Sequence, residues 1–186
     1  VCVAISAKAQ DSTGLAGRSY QESASGSGKA VYILKDWYSG SIRLNNDKFY
    51  DGVQLRYDLS KDEIEYRKDS ALFRISEGVK EFTIPSGIDL YTFRSEFAPV
   101  DGLTAKSFYR IMYDGKTKLL KRYKSPIKEE KAGATRVMEP DALLYIVKED
   151  KVSPVNLKDP NSFLKLLSEE KNKMLYVIKE EGLEFG

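Results

Sequence analysis

The sequence predicts a mainly β protein, built of antiparallel meanders in a sandwich or barrel-like arrangement and closed by a carboxy-terminal α-helix. Three observations carry that prediction. Val53, Leu55, Tyr57 and Leu59 alternate with Gln54, Arg56 and Asp58, a period of two that turns one face of a strand to a core. Turn-forming clusters recur at a spacing of about 8 to 12 residues, which suits hairpins and not βαβ units. After Asp159 and Pro160 the apolar residues change to helical spacing.

At the amino terminus, Val1 to Ile5 form a short run of small and β-branched residues that ends in Ala7-Lys8-Ala9. That order is the one expected at the back of a secretory signal, with a small-x-small cleavage site, so residues 1–9 are read as a signal-peptide remnant and the protein as exported. Its destination would be the periplasm, the outer membrane or the medium. Cys2 would leave with the signal. A lipidated Cys2 fits less well, because Val3, Ala4 and Ile5 continue the apolar run where a polar tether is expected. Residues 10–29 hold several glycines and serines and few large apolar residues, and read as a flexible leader. Gly26-Ser27-Gly28-Lys29 lacks the upstream glycine and the following Ser/Thr of a phosphate-binding loop, since Ala30 comes next.

A β-rich domain is expected over 30–186, with sub-sheets at 30–85 and 88–157. Val31 to Leu34 lead to Trp37-Tyr38, Ser39-Gly40 turns the chain, and Ser41 to Leu44 runs on to the break at Asn45-Asn46-Asp47. After the alternating strand, Ser60 to Glu63 turns, Ile64 to Arg67 returns, Lys68-Asp69-Ser70 turns again, and Leu72 to Ile75 and Val79 to Ile84 complete the first meander. Pro85-Ser86-Gly87 separates it from the second. There Leu90 to Phe93 and Phe108 to Tyr113 are strand candidates, Asp114-Gly115 is a strong hairpin signal, and Ala142 to Val147 pairs with Val152 to Leu157. Lys128 to Gly133 is a polar excursion.

The last element is a helix over 160–181. Asp159-Pro160 supplies a cap and first turn, and Phe163, Leu164, Leu167, Met174, Leu175 and Ile178 lie on one side of one long helix or of two with a hinge. Gly182 should end it, with Leu183 and Phe185 packing back.

Composition closes several function classes. The 186 residues include no histidine and one cysteine, so histidine-based triads, His-liganded zinc and histidine pH switches are excluded. Thirty basic residues face 28 acidic ones, a net charge of +2 spread along the chain, which gives no reason to expect a nucleic-acid partner. Nothing approaches the roughly 18 apolar residues of a transmembrane helix. No cofactor or metal is expected.

Two kinds of residue remain as candidates for chemistry. Asp58, Asp62, Glu63 and Glu65 cluster round one turn, and a glycosidase needs two carboxyls across a cleft. With Arg56, Lys61 and Arg67 as neighbours they read as a solvated turn of mixed charge, and no catalytic acid is assigned. Twelve tyrosines and one tryptophan are the other signal. Tyr57 and Tyr66 fall on core positions, whereas Trp37 and Tyr38 lie beside a turn and are the candidate binding residues. Lys116 to Lys118 and Lys121 to Lys124 are read as a lysine-protected edge strand.

Several phrases resemble those of uncharacterised secreted β-rich proteins of Bacteroidota: Ile33 to Trp37 with Gly40, Tyr57-Asp58-Leu59 before Asp62 to Glu65, Val79 to Phe82, Phe108 to Lys116 before Leu119-Leu120, Tyr145 to Val147, and Ile178 to Leu183. The resemblance spans about residues 30 to 186 and implies export and a β-rich fold, with no catalytic signature. The expectation is an exported, non-enzymatic envelope or secreted protein that binds another macromolecule, a protein or glycan of the cell envelope, or plays a structural role. The rival is a carbohydrate-active enzyme or glycan-binding module using carboxylates and aromatics.

Overall fold

A computed structural model describes residues 14–21, 30–124, 141–156, 158–159, 170–180 and 182. The expected signal remnant, Cys2, the Gly26-Ser27-Gly28-Lys29 cluster, the polar excursion and the start of the expected helix, with Phe163, Leu164 and Leu167, lie outside them. The chain is mainly β, as its alternation predicts. Its strands are β1 (Gly17–Tyr20), β2 (Tyr38–Leu44), β3 (Phe49–Asp58), β4 (Glu63–Lys68), β5 (Ala71–Ile75) and β6 (Val79–Ser86). They continue as β7 (Asp89–Arg94), β8 (Tyr109–Asp114), β9 (Lys118–Tyr123), β10 (Ala142–Lys148) and β11 (Lys151–Pro154), followed by α1 (Lys171–Glu180).

Among the described residues eleven strands form one open antiparallel sheet, in the order β1, β5, β4, β3, β2, β6, β7, β8, β9, β10, β11. Pro85-Ser86-Gly87, where the sequence suggests a break between sub-sheets, lies at the β6–β7 hairpin, with Gly87 at φ +61°. The narrow seam comes later, between β7 and β8, which share two register pairs, Phe93 with Arg110 and Arg94 with Tyr109.

The sheet is strongly curled. Tyr57 on β3 and Phe93 on β7 are three strand intervals apart, about 14 Å in a flat sheet. Their ring centroids are nevertheless 5.2 Å apart. Arg122 on β9 donates from Nη1 to the Tyr57 hydroxyl at 3.1 Å, and its Nη2 lies 2.9 Å from Asp62 Oδ2. Register shifts in β2 and β8 mark irregularities of the bulge type that bend a strand and raise its twist. At Gly40, beside one of them, a Cβ would run into the Thr83 carbonyl, so the close approach of β2 and β6 requires glycine.

Among the described residues three apolar clusters form the core. The largest joins Ile42, Leu55, Tyr57, Tyr66, Phe82, Ile84 and Phe93 with Leu15, and confirms Tyr57 and Tyr66 as core. Leu119, Leu144 and Ile146 pack under Met174 and Ile178 of α1. Tyr109, Leu120, Tyr145 and Val147 meet Phe97, Val100 and Leu103 on the opposite face. Strands β9 and β10 are thus buried on both sides, which is why Leu119-Leu120 and Leu144 to Val147 read as continuous apolar runs. The expected lysine-protected edge is corrected accordingly: β9 lies between β8 and β10. Gly182 closes α1 as predicted, with φ +66° and its N–H on the Lys179 carbonyl at 3.0 Å.

The expected leader also changes. Gly17–Tyr20 pairs with β5, and Leu15 is buried, because Tyr66 donates to its carbonyl at 2.8 Å and Tyr50 donates to that of Gly14 at 3.0 Å.

Candidate functional site

The side of β3, β4 and β5 opposite the main core carries a row of charges set by register. Arg56 stands across from Glu65, Glu65 from Arg74, and Arg74 from Arg18 on β1. Period-two alternation puts these residues on one face, since their neighbours Leu55, Tyr57, Ile64 and Tyr66 occupy the core.

Glu65 is the centre of the row and is 1% exposed. Its Oε2 receives Arg56 Nε at 2.8 Å, the Tyr20 hydroxyl at 2.5 Å and the Tyr32 hydroxyl at 3.0 Å. Arg74 Nε lies 3.4 Å from its Oε1 and 3.3 Å from Glu63 Oε2. Burial alone would raise the Glu65 pKa, but the hydrogen bonds from Tyr20, Arg56 and Tyr32 outweigh it and hold the carboxyl below its ordinary value. Burial first, and the Glu65 carboxylate second, push the Tyr20 and Tyr32 hydroxyls well above the usual tyrosine value.

Aromatic rings cover this charge. The Arg56 guanidinium lies 4.1 Å from the Tyr32 ring centroid and 4.2 Å from that of Trp37. Arg67 approaches Trp37 to 5.5 Å and Arg74 lies over Tyr20 at 4.3 Å. The segment carrying Tyr32 and Trp37 is tied down by Leu59, whose N–H donates to the Val31 carbonyl at 2.7 Å, and by a bridge between Tyr32 and Asp58. Asp58, fully buried, accepts the Ser60 N–H at 2.9 Å and its hydroxyl at 2.6 Å.

The two candidate binding residues therefore part company. Trp37 is half-buried on the Arg56 side. Tyr38 opens β2 opposite Leu55 and packs against the main core. The acidic cluster is corrected too: its expected solvated turn contains buried Asp58 and Glu65, while Asp62 is clasped by Arg122 and Tyr57. Sequence reasoning misses Arg56 and Glu65 as a buried pair because their partners Tyr20 and Tyr32 come from 45 and 33 positions away. The available signal was two opposite charges inside strictly alternating strands, preceded by Tyr32 and Trp37.

Chemically, the site holds fixed, paired charge under aromatic cover. Among the described residues no group of three or more His, Cys, Asp or Glu could hold a metal ion, and no helix is long and apolar enough to cross a membrane. Comparison with protein-family models, curated proteins and solved structures gives no match.

Proposed function

We propose that this chain is an exported envelope or secreted protein that binds another macromolecule, with Trp37 and the exposed Arg67 at the contact surface and the buried Arg56 beneath them. The observation that carries this reading is the stack in which Arg56, anchored from below by Glu65, supports the half-buried Trp37 ring. Trp, Tyr and Arg are the residues that dominate binding energy at protein interfaces, and a ring held by packing loses little entropy on contact. A protein partner fits better than a glycan, because a sugar stacks on a bare ring face and the Arg56 guanidinium already lies against Trp37. Acid catalysis is less well supported: the hydrogen bonds from Tyr20, Arg56 and Tyr32 outweigh burial and hold the Glu65 carboxyl below its ordinary value. Export rests on the sequence pattern of residues 1–9.

The test is capture from envelope extract, with protein and glycan fractions assayed separately against the wild-type chain and Trp37→Ala. Trp37 is the single tryptophan of the chain, so its emission reports contact directly. We expect a protein ligand that shifts the emission and whose affinity falls about thirtyfold in Trp37→Ala, a hot-spot loss of about 2 kcal/mol. Unchanged capture together with a lower melting temperature would reduce the aromatic stack to a structural role.

A further inference from the structure

An open sheet has two edges, and the two here are built differently. Edge strand β11 carries Lys151 at one end and Pro154 at the other. The Val155 N–H donates to the Leu144 carbonyl at 2.9 Å, and Pro154 is the next position along, opposite Tyr145. In an antiparallel ladder inward and outward backbone groups alternate, so Pro154 and Val152 face away from the sheet. Proline has no N–H, so this edge lacks a donor where an added strand would need one, and Lys151 adds charge.

Edge strand β1 has no proline, and its one charge is Arg18. Its sequence is Gly17-Arg18-Ser19-Tyr20. The Ser76 N–H donates to the Ala16 carbonyl at 3.2 Å, so by the same alternation Arg18 and Tyr20 pair inward with β5, and the N–H and C=O of Gly17 and Ser19 face outward. Among the described residues no strand pairs with that outer edge.

The charge row ends at the same place. Reading across the sheet it runs Arg56, Glu65, Arg74, Arg18. Alternation of sign fails at the last step. Arg74 is shared by Glu63 and Glu65, whereas Arg18 is exposed and has no acidic partner among the described residues. Like charges directly opposite on neighbouring strands are unfavourable, and an acidic residue on the far side of Arg18 would complete the pattern. A strand hydrogen-bonded to Gly17 and Ser19 would place its residue opposite Arg18 at a non-hydrogen-bonded position, where side chains approach most closely. A cleft of about 250 Å³ opens there, lined by Arg18, Ser19, Tyr20, Glu63, Arg74 and Ile75, and its carboxylate, Glu63, is engaged by Arg74.

We propose that the β1 edge receives an extended acidic peptide segment of a partner protein, which adds a twelfth strand antiparallel to β1 and sets a carboxylate against Arg18. A second copy of this chain fits less well, because two β1 strands paired about their centres would place Arg18 against Arg18. Trp37 is no part of this edge, so the two binding surfaces are separable by mutation.

The probe is a seven-residue peptide alternating valine and glutamate with blocked ends, titrated into the full chain by calorimetry. A lysine-for-glutamate version serves as the control. We expect the glutamate peptide alone to bind, and Arg18→Glu to weaken it about tenfold, since charge reversal removes one pair and adds one repulsion. Ser19→Pro deletes an outward N–H at a position where edge strands tolerate proline, so it should weaken binding about fivefold or more with an unchanged melting temperature. Trp37→Ala should leave the titration unaltered. The proposal is overturned if the glutamate peptide does not bind, if the lysine peptide binds as well, or if both β1 variants bind like wild type. Self-association of the free chain that Ser19→Pro abolishes would assign the edge to a second copy and overturn it equally.

Discussion

Strands β3 to β5 and strands β8 to β10 solve the same problem in opposite ways. Both stretches turn one face to an apolar cluster, and both have their second face covered by a segment from elsewhere in the chain. Over β8 to β10 the cover is α1, seated through Met174 and Ile178 on Leu119, Leu144 and Ile146. Glu170, just before the helix, fixes its approach by accepting the Thr117 N–H at 2.7 Å and the Tyr113 hydroxyl at 2.9 Å. Over β3 to β5 the cover is the segment with Tyr32 and Trp37, and what it covers is the ion pair of Arg56 and Glu65. The apolar seat gains stability in proportion to the area buried and tolerates small rearrangements. The polar seat depends on every member being satisfied, and loses heavily when one is removed.

That difference fixes the order of expected effects. Glu65→Ala should be the most damaging change, because it removes the carboxylate that meets Arg56 Nε at 2.8 Å and breaks a pair whose two side chains are 7% and 1% exposed. We expect a loss of about 3–5 kcal/mol in urea unfolding. Replacing Arg56 and Glu65 together by methionine and leucine should recover most of that loss; failure to recover it would mean that the pair itself, and not the breaking of it from one side, carries the stability.

Met174→Ala tests the apolar seat. It should cost about 2–3 kcal/mol, the lower part of the range for a buried methionine, because a helix lying on a sheet can settle into the space left behind. Hydrogen exchange should show faster opening of α1, β9 and β10 while β3 and β4 keep their protection. Equal loosening of both regions would break the distinction between them.

Acid provides the smallest and most selective probe. The folded pKa of Glu65 is depressed, so the stability it contributes is present above the unfolded carboxylate value of about 4.3 and is lost as pH falls through the lower folded value. Tyr20 and Tyr32 run the other way: their raised values give a contribution that is complete below about pH 10 and is lost as pH rises beyond it. Unfolding followed between pH 5 and pH 2.5 should therefore lose stability more steeply in the wild type than in the Arg56→Met, Glu65→Leu double variant. Parallel curves would remove Glu65 from the acid response.

Much of the fold is legible along the chain. The alternation from Val53 to Leu59 assigns Tyr57 to the core, Asp114-Gly115 marks the β8–β9 turn, and Gly182 marks the end of α1. The candidate site is less so. Trp37 stands out as the lone tryptophan, but the turn expected beside it at Ser39-Gly40 is not there, since both residues pair with β3 inside β2; Arg56, Glu65 and Tyr20 look like ordinary residues of strands or of a leader, and nothing local distinguishes Tyr38, which faces the core.

The sequence by itself determined which residues share a face, where most of the turns fall and where the helix stops, because these follow from side-chain periods of two and 3.6 and from backbone preferences that act over a few residues. The tertiary structure decided the pairing of β1 with β5, the curl that brings Tyr57 to Phe93, the burial of β9 on both faces and the convergence of Tyr20, Tyr32 and Arg56 on Glu65. Those outcomes depend on which edges and segments meet across tens of residues. Closing such loops costs entropy that varies only slowly with their length, so no short-range pattern selects among the possible partners. What selects them is the fit of the completed sheet: a charge row that needs Tyr20 and Tyr32 above it, and an apolar run that needs cover on both sides.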